Sequence, residues 1–102
     1  MKIAFKMKLL PGFAEEYKKR HNEIWPELST LLKQNGVSDY TIFLDEETNI
    51  LFAVQQQNGT SSQNLGDTEI VQKWWAYMAD IMETNADHSP VSKNLVEVFH
   101  LD

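Results

Sequence analysis

The chain contains no cysteine. That excludes a disulfide scaffold, thiolate catalysis and a cysteine-bound metal, and it suits a reducing compartment such as the cytoplasm. Basic residues are scarce: 9 Lys and Arg stand against 15 Asp and Glu, a net charge of −6. Phosphate backbones are bound by clustered Lys and Arg, so nucleic acid is not an expected partner. The run Lys18-Lys19-Arg20 alternates with acidic neighbours and reads as a solvated helix face. No apolar stretch approaches the roughly 18 residues of a membrane span. Lysines interrupt the N-terminal apolar residues, so no signal-peptide core is expected. Glycine and proline are few, 4 and 3 in 102 residues, and they punctuate a chain whose length predicts one domain over 1–102.

Between those breaks the apolar pattern changes period. Ile3, Phe5, Met7 and Leu9 alternate with Lys6 and Lys8, which predicts a half-buried strand ended by Pro11-Gly12. From Phe13 to Asn35 the period is helical. At about 100° per residue, Phe13, Tyr17, His21, Ile24, Trp25, Leu28, Leu31 and Leu32 share one face. Gly36 stands where a helix C-terminal glycine is expected. Val37–Asp45 and Ile50–Gln56 predict two strands paired as a hairpin, with Tyr40, Ile42 and Leu44 on one side of the first. Gln57 to Ser62 is polar. A second helix is predicted from Asp67 to Glu83, with an apolar arc that includes Trp74 and Trp75. A fourth strand is predicted from Leu95 to Leu101.

The order β-α-β-β-α-β is that of an α+β, ferredoxin-like fold, with two helices on one face of a four-stranded antiparallel sheet. The opposite sheet face also carries Phe and Val. An apolar face of that kind predicts a second subunit over it, hence a homodimer of the dimeric α/β barrel type.

Three places could carry chemistry. His21 projects from the middle of the first helix's apolar face, and imidazole moves protons near neutral pH. Pro26 has no N–H for the carbonyl of Asn22, so the helix is expected to kink or break beside it. The same placement also suits a core histidine satisfied by a backbone carbonyl. Trp74 and Trp75 are either two core anchors or an aromatic platform, on which the C–H face of a sugar ring could pack. Tyr17 brings a second polar tip to the face of His21, and Tyr40 brings a phenol that can donate or accept but could equally be a packing residue with a wet tip. His88 and His100 carry weaker signals. No histidine pair has a metal-ligand spacing, and no glycine-rich phosphate loop is present.

At these residues the chain resembles the L-rhamnose mutarotase family. The resemblance lies in Tyr17-x-x-Arg20-His21-Asn22-x-Ile24-Trp25-Pro26-Glu27-Leu28, in Tyr40-x-Ile42-x-Leu44-Asp45, in Trp74-Trp75-x-Tyr77-Met78-x-Asp80, and in the tail from Ser89-Pro90-Val91-Ser92 to Val98-Phe99. It implies a cytoplasmic, homodimeric isomerase that needs no cofactor and interconverts the α and β anomers of L-rhamnopyranose. It also implies that His21 is the proton donor and that Tyr17, Tyr40, Trp74 and Trp75 bind the sugar. On that expectation His21 protonates the ring oxygen as the ring opens, with Tyr17 or a water near the anomeric hydroxyl. Two other readings stand beside it. One is a cofactor-free monooxygenase or lactone isomerase with the same fold and an aromatic substrate. The other is a binding module in which His21 only packs.

Overall fold

The computed structural model describes residues 1–58 and 65–102, so residues 59–62 of the polar stretch after β3 lie outside the described residues. Four strands and three helices follow in the order β1 (Lys2–Lys8), α1 (Ala14–Asn22), α2 (Pro26–Gln34), β2 (Val37–Asp45), β3 (Ile50–Gln57), α3 (Glu69–Met78) and β4 (Ser92–Asn94). The sheet runs β2-β3-β1-β4 and every neighbouring pair is antiparallel.

The expected first helix is two helices. Pro26 supplies no N–H to a continuing ladder, and it drives Trp25 before it into extended backbone at φ −61°, ψ 129°. α1 therefore ends at Asn22, and Pro26 opens α2 at a position where its missing N–H costs nothing. α1 itself suits its macrodipole, with Glu15 and Glu16 in the first turn and Lys19, Arg20 and His21 in the last. Gly36, at φ +82°, closes α2 as a left-handed residue. A Cβ there would stand 3.2 Å from the backbone of Asn58.

The pleat sorts the sheet into two faces. Phe5 pairs with Ala53 and Met7 with Leu51, and Ile42 and Leu44 face the same two residues of β3 from the other side. These side chains meet Leu28, Val71, Trp74, Trp75 and Met78 from the helices in one core. Lys2, Lys6, Lys8, Ile50, Phe52, Val54 and Phe43 point the other way.

Two predicted elements differ. α3 spans Glu69–Met78 rather than Asp67–Glu83. Ile81 and Met82 continue the apolar arc and are buried, but their backbone is taken by the sheet edge. Leu10 donates to the carbonyl of Ile81 at 2.9 Å, Glu83 donates to that of Lys8 at 3.0 Å, and Leu9 bridges Met82. The predicted fourth strand, Leu95–Leu101, is not formed: β4 is Ser92–Asn94, and residues 95–102 are exposed and irregular. The alternation is real, but only Leu95 follows β4 onto β1, its N–H donating to the carbonyl of Ala4 at 2.9 Å, and among the described residues no ladder continues beyond it. No helix among the described residues is long and apolar enough to cross a membrane.

Candidate active site

The space between α1, α3 and the inner sheet face is a cavity of roughly 950 Å³, within the range of clefts that hold small ligands. All five residues singled out from the sequence line it: Tyr17, His21, Tyr40, Trp74 and Trp75. Its exposed lining residues, among them Glu15, Lys18, Lys33, Asp39 and Glu46, are polar and form the mouth. Its inner wall includes Met7, Leu51, Val71 and Met78.

α1 presents His21 one turn after Tyr17, and the two rings stack at 4.2 Å between centroids. His21 Nδ1 lies 3.0 Å from the carbonyl oxygen of Tyr17. A carbonyl only accepts, so Nδ1 carries the hydrogen and donates it. In the neutral ring Nε2 is then the basic nitrogen. Burial lowers the proton affinity of His21 below that of an ordinary histidine, and the bond to the Tyr17 carbonyl offsets this in part. Both readings of His21 from the sequence thus meet in one side chain. Its Nδ1 is satisfied by a backbone carbonyl, as a core histidine's would be, and its ring lines a cavity.

Tyr17 is buried, and burial, reinforced by the neighbouring Tyr40, holds its phenol in the protonated form far above neutral pH. It is available as a neutral donor and acceptor. Tyr40 reaches the cavity from β2, edge-on to Phe5 at 6.4 Å.

Trp74 stands at right angles to His21, 5.5 Å between centroids. It is backed by Trp25 at 5.1 Å, also edge-on, and by Tyr77 at 5.7 Å. Such pairings fix ring orientation as well as burying area. Trp75, about 100° further round α3, closes against Gly66. A Cβ on Gly66 would stand 2.8 Å from Cη2 and Cζ3 of the indole, and Gln72 Nε2 holds the Gly66 carbonyl at 2.8 Å.

Arg20 corrects the reading of Lys18-Lys19-Arg20 as a solvated face. Lys18 and Lys19 are exposed, whereas the Arg20 side chain retains only 11% of its accessible surface. It donates to Glu16 at 2.7 Å, to the Tyr77 carbonyl at 2.8 Å and to both carboxylate oxygens of Asp80. Its guanidinium lies 4.5 Å from the centre of the Tyr77 ring. The available sequence signal was its spacing, four residues after Glu16 on the same helix face. His88 and His100 are exposed, and His100 Nε2 meets Asp102 at 2.8 Å.

Comparison with known proteins shows the family. A family model described as L-rhamnose mutarotase matches residues 2–101. An L-rhamnose mutarotase of Bacteroides thetaiotaomicron is 67% identical over 97% of this chain and 96% of its own length. One from Phocaeicola vulgatus is 61% identical over the same shares. The crystal structure of L-rhamnose mutarotase from Formosa agariphila is 56% identical and superposes with a TM-score of 0.94, covering 100% of this chain and 99% of that one.

Proposed function

The chain belongs to the L-rhamnose mutarotase family and is an isomerase acting on sugar anomers, and from that premise we propose that His21 is its acid–base group and that Tyr17, Tyr40, Trp74 and Trp75 hold the sugar. The observation that carries this reading is the state of His21. Nδ1–H is committed to the Tyr17 carbonyl, burial keeps the ring neutral, and the ring lines the cavity.

Mutarotation opens a cyclic hemiacetal and closes it on the other carbonyl face. The anomeric hydroxyl must lose a proton, and the ring oxygen must gain one as its bond to C1 breaks. A neutral His21 begins as the acceptor. Its Nε2 takes the anomeric proton while the Tyr40 phenol or a water gives one to the ring oxygen, and Tyr17, whose burial opposes ionisation, hydrogen-bonds the sugar as a neutral phenol. Rotation about C1–C2 turns the aldehyde. The freed hydroxyl then attacks the opposite face, returns its proton to the group that gave it, and His21 restores the anomeric hydroxyl. This reverses the first step expected from sequence, in which His21 protonates the ring oxygen. The reason is the lowered proton affinity of a half-buried imidazole. The indoles of Trp74 and Trp75 offer apolar faces to the C–H surface and methyl group of the sugar.

General acid–base catalysis contributes about 10²–10⁴-fold. His21→Ala is expected to lose anomer exchange to that extent while keeping its circular dichroism. Saturation-transfer NMR on L-rhamnose measures the exchange, and a normal rate in that variant would overturn the assignment.

The working unit in this reading is a single-domain homodimer of the dimeric α/β barrel type, in the cytoplasm. Support for the dimer comes from the outer sheet face and the tail. Phe43 is 61% exposed, and Val96, Val98, Phe99 and Leu101 are each more than three-quarters exposed. β4 pairs with β1 over only three residues. A second copy that covered the outer face would bury these side chains and give the tail a strand partner. Light scattering that gave a monomer mass at micromolar concentration would refute it.

A further inference from the structure

Strand β2 carries one residue more than the ladder it joins. Ser38 pairs with Gln56 and Thr41 with Val54, so Asp39 and Tyr40 together oppose Gln55. A bulge of this kind bends the strand and re-aims its side chains. Its first residue, Asp39, has φ +47°. A residue with a Cβ rarely adopts that conformation, and Asp and Asn tolerate it best.

The bulge changes which side chains face inward. Val37, opposite Gln57, is buried against the helices. Strict alternation from Val37 would send Asp39 and Thr41 inward and Tyr40 outward beside Ser38. The extra residue reverses the parity, so that Tyr40, Ile42 and Leu44 face the cavity and Thr41 faces away. Val37 closes one end of the core and Tyr40 reaches the site only because the chain inserts a residue between them.

We propose that Asp39 is a positioning residue, whose left-handed backbone, rather than its carboxylate, directs the Tyr40 phenol into the sugar cavity. The inference rests on the reading of Tyr40 as a sugar contact. Asp39 itself lines the exposed mouth, so a direct contact to a sugar hydroxyl is the competing role.

Three substitutions separate backbone from charge. Asp39→Asn keeps the tolerance for positive φ and removes the charge. Asp39→Gly keeps the conformation and removes the side chain. Asp39→Val, β-branched, opposes the conformation. KM and kcat for L-rhamnose are measured by NMR exchange across pH, with Tyr40→Phe as the reference. Asp39→Val is expected to raise KM about two- to tenfold, the worth of one neutral hydrogen bond, without moving the pH profile of kcat. Asn and Gly restore KM, and Asp39→Val adds nothing further in the Tyr40→Phe background. If Asp39→Val does not fold, Asp39→Ala gives the same ranking with a smaller rise. Asn and Gly raising KM as much as Val would assign the role to the carboxylate and overturn the proposal. An unchanged KM in Asp39→Val beside a raised KM in Tyr40→Phe would overturn the proposal alone. An unchanged KM in Tyr40→Phe would remove the sugar contact on which it rests.

Discussion

Arg20 holds Asp80 through both terminal nitrogens, Nη1 to Oδ1 at 2.8 Å and Nη2 to Oδ2 at 3.3 Å. The pair joins the last turn of α1 to the residues just past α3. Arg20 precedes His21 in sequence, and its Nη1 also binds the carbonyl of Tyr77, whose ring flanks Trp74. One guanidinium thereby sets the separation between the helix that carries His21 and the helix that carries Trp74. The Asp80 carboxyl is held below the usual carboxylate range chiefly by its hydrogen bonds from Arg20.

Lysine has the charge of arginine but not its fork. Arg20→Lys is expected to lower kcat/KM roughly tenfold, because small misplacements of a catalytic group are costly. Asp80→Asn should act similarly, and the double variant should show less than the sum, since both lose one interaction. The acid limb of the pH profile should stay in place, because His21 itself is untouched. Additive losses in the double-mutant cycle would show that the pair does not act as a unit.

His21 should make stability depend on pH. Its folded-state proton affinity is lowered by burial, while in the unfolded chain it titrates near 6.5. As pH falls below about 6.5, the unfolded state takes up a proton that the folded ring resists, so stability declines. The loss ends once pH passes the lower folded value and both states are protonated. His21→Gln removes this slope. Thermal denaturation of both proteins from pH 8 to pH 5 measures it as a gap in Tm that narrows, or changes sign, toward acid. The exchange rate of the native enzyme should likewise persist below the pH at which an ordinary histidine protonates.

Gly66 tests the wall behind Trp75. A Cβ placed 2.8 Å from the indole forces the ring to shift, and overpacking of this kind costs about 1–3 kcal/mol. Trp75 lines the cavity, so the expected displacement is into that open space. Gly66→Ala should raise KM for L-rhamnose while the pH dependence of kcat stays fixed. A variant with native KM would show that Trp75 yields elsewhere.

The sequence foretold what depends on short-range pattern. The alternation Ile3-Phe5-Met7 marked β1, and Pro26 marked the break that divides α1 from α2. The shared cavity lining was legible because Tyr17 and His21 are one turn apart and Trp74 lies at the centre of its apolar arc. What escaped depends on distant backbone. The bulge at Asp39 has no glycine to announce it, and it shows only in the register against Gln55. Arg20 looked like one more surface cation until Asp80, 60 residues away, gave it a partner. The tail from Leu95 alternates as strands do, yet it leaves β1 after one bond, from Leu95 to the carbonyl of Ala4, and its side chains stay exposed. Ile81 and Met82 kept a helical period while their backbone joined Leu9 and Leu10.

The break beside His21 offers a last test. Trp25, the last of the three residues between the two helices, stacks on Tyr77 at 5.6 Å and meets Trp74 edge-on at 5.1 Å. A continuous helix would turn Trp25 onto the face of His21, four residues earlier, and out of that slot. The aromatic contacts therefore oppose fusion even without a proline. Pro26→Ala is expected to keep the break, to cost about 0.4–1 kcal/mol through the greater freedom of the unfolded chain, and to leave the exchange rate near native. Removing both restraints, in Trp25→Ala with Pro26→Ala, should let the helices join, raise helical circular dichroism and weaken sugar binding as Trp74 loses its backing. If Pro26→Ala alone raised the helical signal and lost activity, the proline rather than the tryptophan would be what holds the site open.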